Sequence, residues 1–332
     1  MNRKKIVVIG GGTGNHTTLS GLKDQECDLT AVVAMTDSGG SSGRLRDELG
    51  HLPPGDVRQC LVALAPDDRS TALLARLFDY RFNAGNGLLG HSFGNLFLTA
   101  LTEITGNTAT AISEASRMLA IKGTVLPVTL TKSTLVARLE DGTEVVGEAN
   151  IDQRSENLDV TIDYIYLEPK AYAYPPVLEA IEGADALVMG PGDIYTSIIP
   201  NLLVEDVAQA IRSSNATKIC VCNLMTKPGE SDGFKSSDFA NLLREYLGTT
   251  EPLDYLVVNS APYQERLLQR YAAQDQFPVT LDLEACADLV GQVVQAPLLS
   301  AGVYIRHDPY ALARTIMGLL NSVRAGRRSV RA

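Results

Sequence analysis

Tryptophan is absent from this 332-residue chain, and aromatic residues make up only 6% of it. Stacking platforms for single-stranded nucleic acid are therefore poorly supplied. The formal net charge of −10 also argues against nucleic acid or an anionic membrane surface as the main partner. No apolar stretch reaches the ~18 residues of a membrane span, and Gly10 interrupts the first apolar run too early for a signal peptide. These absences predict a cytoplasmic protein that binds a small molecule.

Cysteine is also scarce, and the five cysteines are scattered and odd in number, as is typical of a reducing compartment. Cys220 and Cys222 lie in the strand-like run KICVCNL, where alternation places both thiols on one face. We interpret them as packing residues, and a metal site is the alternative. No Ser–His–Asp, Cys–His or metal-ligand spacing is evident, so the sequence specifies binding more clearly than catalysis.

Apolar residues make up 45% of the chain, which is enough for a large core. The pattern predicts a strand at 5–10, a glycine turn, a helix at 15–23 and a strand at 29–35, which together form a βαβ unit. Helical patterns follow at 44–66 and 69–82. Later apolar strands alternate with helices, so we predict an α/β, Rossmann-like fold. Its sheet is mostly parallel, with helices on both faces.

The period changes to strand-like alternation between Gly123 and Glu168, with a hairpin signal at Asp141-Gly142. We predict an antiparallel β insertion at about 123–169 within a single domain that spans residues 1–322. The basic segment 323–332 is expected to be a flexible tail. The sequence does not determine the oligomeric state. A homodimer formed through an apolar patch on a crossover helix is one alternative.

Two strand-to-helix turns, Gly10–Gly14 and Gly190–Gly192, are rich in glycine. A helix N-terminus presents free N–H groups and a partial positive charge, and glycine lets an anion approach them closely. Both turns are therefore predicted to hold phosphate, and the alternative is that they are merely tight. The first turn, with Asp37 downstream, also matches part of a dinucleotide fingerprint, so an NAD dehydrogenase is another hypothesis.

The segment TDSGGSSGRLRDELGHLPPGDVR carries the acidic candidates. Asp37 and Asp56 follow a strand end and a Pro-Pro-Gly turn, where two carboxylates near a diphosphate can hold Mg²⁺. Arg44 and Arg58 are predicted phosphate contacts. The alternatives are that Asp56 caps a helix and that Arg44 pairs on the surface with Asp47 or Glu48.

A glycine-flanked helix start, His91-Ser92-Phe93-Gly94-Asn95, offers further polar groups. Asn95 has both donors and an acceptor for ribose or base edges. His91 is more typical of a structural residue than of a catalytic one.

Six motifs occur in order along residues 5–310, and together they resemble the gluconeogenesis factor family (YvcK type), which is related to the 2-phospho-L-lactate transferases (CofD). They are VVIGGGTGN, TDSGGSSGRLRDELGHLPPGDVRQCLVALA, LLGHSFGNLFLTALTEITGN, KGTVLPVT, VMGPGDIYTSIIPNLLV and CNLMTKPGES. The resemblance implies a nucleotide and phosphate site formed by Gly10, Gly11, Gly12, Thr13, Gly14, Asn15, Ser41, Ser42, Arg44, Ser92, Asn95, Gly190, Gly192, Asp193, Thr196, Asn223, Tyr271 and Arg306. It also implies that Asp37 and Asp56 bind the metal.

The two branches of this family imply different activities. The regulator branch binds a UDP-sugar such as UDP-N-acetylglucosamine and supports cell-wall precursor supply and cell shape on gluconeogenic carbon. The sequence block SSGRLRDEL…PPGDVR favours that branch. The regulator branch requires no organic cofactor. The alternative is an Mg²⁺-dependent transferase that moves a phospholactyl group from a guanosine diphosphate carrier to a deazaflavin. Many relatives read Asp-Asp-Gly-Gly where this chain has Ser38 after Asp37, so one carboxylate of the family pattern is missing here.

Overall fold

The computed structural model describes residues 3–156 and 158–329. Ten strands lie within these residues: β1 (Lys4–Gly10), β2 (Cys27–Val33), β3 (Thr124–Pro127), β4 (Thr134–Leu139), β5 (Glu144–Val146), β6 (Ile162–Glu168), β7 (Ala186–Met189), β8 (Thr217–Val221), β9 (Leu253–Asn259) and β10 (Val290–Ala296). The α-helices of the same residues are α1 (Gly12–Leu22), α2 (Gly40–Leu49), α3 (Gly55–Leu64), α4 (Arg69–Asp79), α5 (Phe93–Thr105), α6 (Thr108–Met118), α7 (Glu148–Asp152), α8 (Pro175–Glu182), α9 (Ile199–Leu202), α10 (Val207–Ser213), α11 (Ser236–Leu247), α12 (Glu265–Ala272), α13 (Leu283–Cys286) and α14 (Pro309–Ser329). A π-helical turn covers Ile194–Ile198.

Seven strands form a parallel sheet in the order β10-β9-β8-β7-β1-β2-β3. The central strands are apolar along their length because helices cover both faces of a parallel sheet. Ile6 to Ile9 of β1 and all four residues of β7 are buried. The predicted α/β fold is confirmed.

The chain fills one half of the sheet from β1 outwards and then returns to β7, so the switch point lies between β1 and β7.

The antiparallel insertion is a three-stranded sheet in the order β5-β4-β6. Its hairpin turns at Asp141-Gly142, as predicted, with Gly142 at a φ of +87°. The predicted starting point at 123 is wrong, because β3 pairs in parallel with β2 and extends the main sheet. The apolar segment Val125–Pro127 finds backbone partners on the open edge of β2, so the insertion begins at β4.

The predicted helix at 44–66 is two helices separated by residues 50–54. Gly50 ends α2 in the left-handed conformation, with a φ of +68°, and Pro53-Pro54 precedes α3. Proline has no N–H to continue the hydrogen bonding of a helix, so these two residues account for the break between α2 and α3. It turns the start of α3, with Asp56 in its first turn, back toward the end of β1.

The last helix, α14, continues through Ser329 and so includes residues 323–329 of the predicted tail. Residues 330–332 of that prediction lie outside the described residues. Cys220 and Cys222 are buried free thiols, in agreement with a packing role. Among the helices described, none has the length and apolar character needed to cross a bilayer.

The two glycine turns touch at the switch point. A Cβ on Gly14 would lie 1.8 Å from the carbonyl oxygen of Pro191, far inside van der Waals contact. We expect Gly14→Ala to destabilise the fold by about 1–3 kcal/mol, the usual cost of overpacking. The free energy of unfolding from urea denaturation measures this effect.

Gly318→Ala is the matched control, because Gly318 lies inside α14 and an added methyl group would meet no described atom within 4 Å. Alanine is a better helix former than glycine, so this change should stabilise by roughly 0.5–1 kcal/mol. Equal stability of the two variants would contradict the close contact of the turns.

Candidate functional site

A polar cleft of about 420 Å³ opens at the carboxyl ends of β1 and β7. Ligands of open α/β sheets bind at this kind of position, where the strand order reverses. The cleft brings together the first glycine turn, the hydroxyl-rich loop after β2, the start of α3 and the second glycine turn. The predicted site residues that line it are Gly11, Gly12, Thr13, Gly14, Asp37, Ser41, Ser42, Asp56, Arg58, Asn95, Gly192 and Asp193.

Other predicted residues lie beside or beneath the cleft rather than in its wall. Asn15 is fully buried, and its Oδ1 lies 2.8 Å from where a Cβ on Gly10 would be. Asn223 accepts a hydrogen bond of 3.1 Å from the N–H of Gly192 and so holds the turn that begins at Gly190. Their placement indicates that they shape the two turns.

The remaining polar predictions also have structural partners. Ser92 is the N-cap of α5 and accepts a 3.2 Å hydrogen bond from the N–H of Asn95. Thr196 donates to the Glu230 carboxylate at 3.3 Å. Arg44 donates to the carbonyl of Leu89 at 2.9 Å, so it neither enters the cleft nor forms the predicted surface pair.

A hydrogen-bonded chain of side chains supports the floor of the cleft. Arg58 donates to Asn95 Oδ1 at 3.1 Å, and Asn95 Nδ2 donates to Ser42 Oγ at 3.2 Å. The other end of the Arg58 guanidinium contacts Asp79. Arg58 is only 8% exposed, so two fixed partners hold its charge at the edge of the cleft.

Three carboxylates line the cleft and have no salt-bridge partner among the residues described. They are Asp37, Asp56 and Glu148, the first residue of α7 in the insertion. Burial, with repulsion from Asp37 as the second cause, raises the pKa of Asp56 to about 7 and that of Glu148 to about 8. Burial also raises the pKa of Asp37 above its ordinary value. At neutral pH these groups must share protons or hold a cation.

Glu148 was not among the predicted site residues. The N–H of Ser38 donates to Glu148 Oε2 at 3.2 Å, and the N–H of Ala149 donates to Ser38 Oγ at 2.9 Å. The insertion therefore supplies a carboxylate beside the position where this chain has Ser38 instead of a second aspartate. No local pattern marked Glu148, because its partner lies 110 residues earlier in the chain.

Asp56 lies against the first glycine turn and does not cap its own helix. The α3 helix has Pro54 at its N-cap position and no side-chain cap. A Cβ on Gly11 would lie 2.4 Å from Asp56 Oδ2, and the nearby Gly12 amide opposes the rise in the pKa of this carboxyl group. An anion at the N-terminus of α1 would therefore adjoin Asp56. A divalent cation between the two would remove their repulsion, and oxygen ligands of this kind suit Mg²⁺.

A serine and a histidine that the sequence did not connect also meet at the cleft. Ser41 Oγ lies 3.0 Å from His91 Nδ1, and both residues are buried. Burial lowers the pKa of His91, with the charge of Arg44 acting in the same direction. Within the part of the chain described, no carboxylate hydrogen-bonds to His91. The contact is a pair and not a triad.

Tyr271 and Arg306 lie outside the cleft wall, in a cluster of aromatic and arginine side chains. The guanidinium of Arg306 lies 5.1 Å from the ring centre of Tyr304, and Arg270 packs on Tyr271 and Tyr304. Tyr271 OH accepts a 3.1 Å hydrogen bond from the N–H of Ile305. This fixes the segment that carries Arg306.

Comparison with known proteins shows the family of this chain. The family profile described as 2-phospho-L-lactate transferase CofD matches residues 6–299. The chain belongs to the CofD family. It is 46% identical over 320 residues to a protein of Thermotoga maritima, with 94% of this chain and 98% of that protein covered. It is 38% identical over 320 residues to the Bacillus subtilis protein named gluconeogenesis factor, with 96% and 98% covered.

A solved structure has the same fold. The crystal structure of the Bacillus halodurans protein BH3568, titled a member of the UPF0052 family, superposes with a TM-score of 0.90 at 39% identity. The alignment covers 96% of this chain and all of that chain. The parallel sheet and the insertion are therefore features of this CofD-family fold.

The cleft carboxylates predict a pH-dependent stability. We expect the free energy of unfolding of the cation-free protein to fall as pH rises from about 4 to about 8, because the folded state retains protons that the unfolded chain has released. The window follows from the raised pKa values of Asp56 and Glu148. Asp56→Asn should flatten the fall, since each unit of raised pKa corresponds to about 1.4 kcal/mol.

Urea denaturation at the two ends of this pH window measures the effect. Asp47→Asn is the matched control, because the Asp47 side chain is 67% exposed beside Arg46. The control should keep the pH dependence of the unaltered protein. Parallel curves for Asp56→Asn and the unaltered protein would contradict the prediction.

Proposed function

We propose that this protein is a regulatory protein that binds a nucleotide sugar of the UDP-N-acetylglucosamine type. In this proposal Asp37, Asp56 and Glu148 hold Mg²⁺. The observation that carries this proposal is that two glycine turns and three carboxylates without a basic partner among the described residues line one cleft. Glycine turns favour phosphate, and carboxylates favour a divalent cation. A metal-bound diphosphate satisfies both requirements at once.

The size of the cleft supports a ligand of this class. Its volume of about 420 Å³ lies within the usual range for small-molecule sites. Thr13, Ser41 and Ser42 supply hydroxyl groups, and Arg58 supplies a fixed positive charge at the edge. The site therefore offers the donors that phosphate oxygens need.

The cluster around Arg306 supports a second contact region for the same ligand. His16 on α1 feels the charges of both Arg58 and Arg306, which add to burial in lowering its pKa. His16 therefore lies within electrostatic range of both Arg58 and Arg306. We assign the base or the sugar of the ligand to Tyr271 and Arg306, as the family resemblance implies.

The relatives named gluconeogenesis factor support a biological role of this kind. A protein that senses a cell-wall precursor nucleotide would support precursor supply and cell shape during growth on gluconeogenic carbon. This role requires ligand binding and no organic cofactor.

A transferase is the second candidate function, and the name of the matching family supports it. Three carboxylates and the Ser41–His91 pair are also compatible with metal-assisted group transfer. Mg²⁺-dependent release of free guanosine nucleotide from a phospholactyl-guanosine carrier would establish this function. Binding of UDP-N-acetylglucosamine without turnover would establish the regulator.

A substitution at Gly12 can separate the loss of ligand affinity from the loss of stability that backbone strain causes. This residue has a φ of +59°, and an added Cβ would have only Ser197 Oγ, at 3.8 Å, near it among the described atoms. We expect Gly12→Ala to weaken UDP-N-acetylglucosamine binding at least tenfold, because Gly12 lines the cleft and a methyl group there would hinder the proposed approach of phosphate to the backbone. Isothermal titration calorimetry with Mg²⁺ present measures this loss.

Gly106→Ala is the matched control, since Gly106 has a φ of +69° at the end of α5 and a Cβ there would meet no described atom within 4 Å. Both variants should lose roughly 1–2 kcal/mol of stability from the left-handed conformation. Only the Gly12 variant should lose affinity. Normal binding by Gly12→Ala would refute the assignment of the first turn.

The metal role of Asp37 gives a further prediction. Asp37→Asn should reduce nucleotide affinity about tenfold in Mg²⁺ and much less in EDTA, because the amide is a poorer cation ligand than the carboxylate. Paired titrations in the two buffers measure the difference. An equal loss in both buffers would indicate that Asp37 only holds its loop through the N–H of Gly39.

A further inference from the structure

Lys227 lies behind one wall of the cleft, with three carboxylates around its ammonium group. Its Nζ is 2.7 Å from Asp193 Oδ2 and 3.0 Å from Glu230 Oε1, and it also contacts Asp152. The Glu230 side chain is 1% exposed and that of Lys227 is 20% exposed. One ammonium group is therefore shared by three carboxylates in a largely enclosed position.

The three carboxylates come from three separate segments. Asp152 ends α7 in the insertion, Asp193 follows the second glycine turn, and Glu230 lies in the loop after β8. Asp152 and Asp193 also line the cleft. Lys227 thus joins the insertion to the parallel sheet at the border of the site. The loop that carries it includes the motif TKPGES, for which the proposed function gives no role.

The arrangement has the dimensions of a cation site. The ligand oxygens of Asp152, Asp193 and Glu230 lie within 4.8 Å of one another. Burial opposes the charge on Lys227, but the attraction of Glu230, Asp193 and Asp152 outweighs it and raises the pKa of Lys227. The ammonium remains charged and supplies up to three donors.

A second contact connects the same loop to the same part of the insertion. Arg154 Nη2 donates to the carbonyl of Gly229 at 2.6 Å. The contrast with the other cleft carboxylates is sharp, because Asp37, Asp56 and Glu148 have no basic partner within 4 Å in the described ranges. At one end of the cleft an ammonium group therefore balances part of the carboxylate charge, and at the other end no described basic side chain does.

We propose that Lys227 takes the place of a divalent cation between Asp152, Asp193 and Glu230. It is a positioning residue: it holds α7 as a wall of the cleft and keeps metal out of this carboxylate group. The inference does not depend on which ligand the cleft binds.

Replacement of the lysine tests the proposal through cation rescue. In Lys227→Met, the amides of Asn150, Ile151 and Gln153 should exchange hydrogen about tenfold faster or more, because unpaired buried carboxylates repel one another. Added Mn²⁺ should restore slow exchange by binding where the ammonium was. Electron paramagnetic resonance should count one Mn²⁺ more per chain than in the unaltered protein.

Two controls separate charge from general damage. Lys227→Arg should keep slow exchange without Mn²⁺, and Lys170→Met should change nothing, because Lys170 pairs with Glu205 on the surface. If Lys227→Met does not fold, Asp152→Asn in the presence of Lys227 should still speed exchange in α7, without rescue by Mn²⁺. Unchanged exchange in α7, or faster exchange that Mn²⁺ does not reverse in Lys227→Met, would overturn the proposal.

Discussion

The close approach of Gly14 to the Pro191 carbonyl is the constraint on which the site depends. It allows the start of α1 and the second glycine turn to meet above the paired strands β1 and β7, where Ile9 is in register with Met189. Any side chain at Gly14 would separate the two turns. The cleft exists because two backbone segments with little side-chain bulk share this edge of the sheet.

Charge divides the cleft into two unlike ends. Asp37, Asp56 and Glu148 repel one another and have raised pKa values, so this end favours protons or a cation. Asp152 and Asp193 share Lys227 and are already neutralised in part. An anionic ligand would meet repulsion at the first end unless it arrived with a metal.

Much of the parallel sheet could be predicted because its signals are local. Lys4–Leu22 contain the apolar run of β1, the glycines after it and the helical periodicity of α1. The sequence also places Asp37 and Asp56 after a strand end and a proline turn, and the structure brings both into the cleft. The predicted single helix at 44–66 is wrong, because Pro53-Pro54 interrupts the backbone hydrogen bonds that the helical side-chain pattern would otherwise continue.

By itself, the sequence determined the fold class, the two glycine turns and two of the cleft carboxylates, because strand, turn and helix signals act between near neighbours. Only the tertiary structure decided that Glu148 faces Asp37, that Ser41 meets His91 and that Lys227 binds carboxylates from three segments. These contacts join residues that are distant in the chain, and they form where the insertion packs on the sheet. No short-range pattern carries that information, since packing of the whole chain selects the partner of each buried charge.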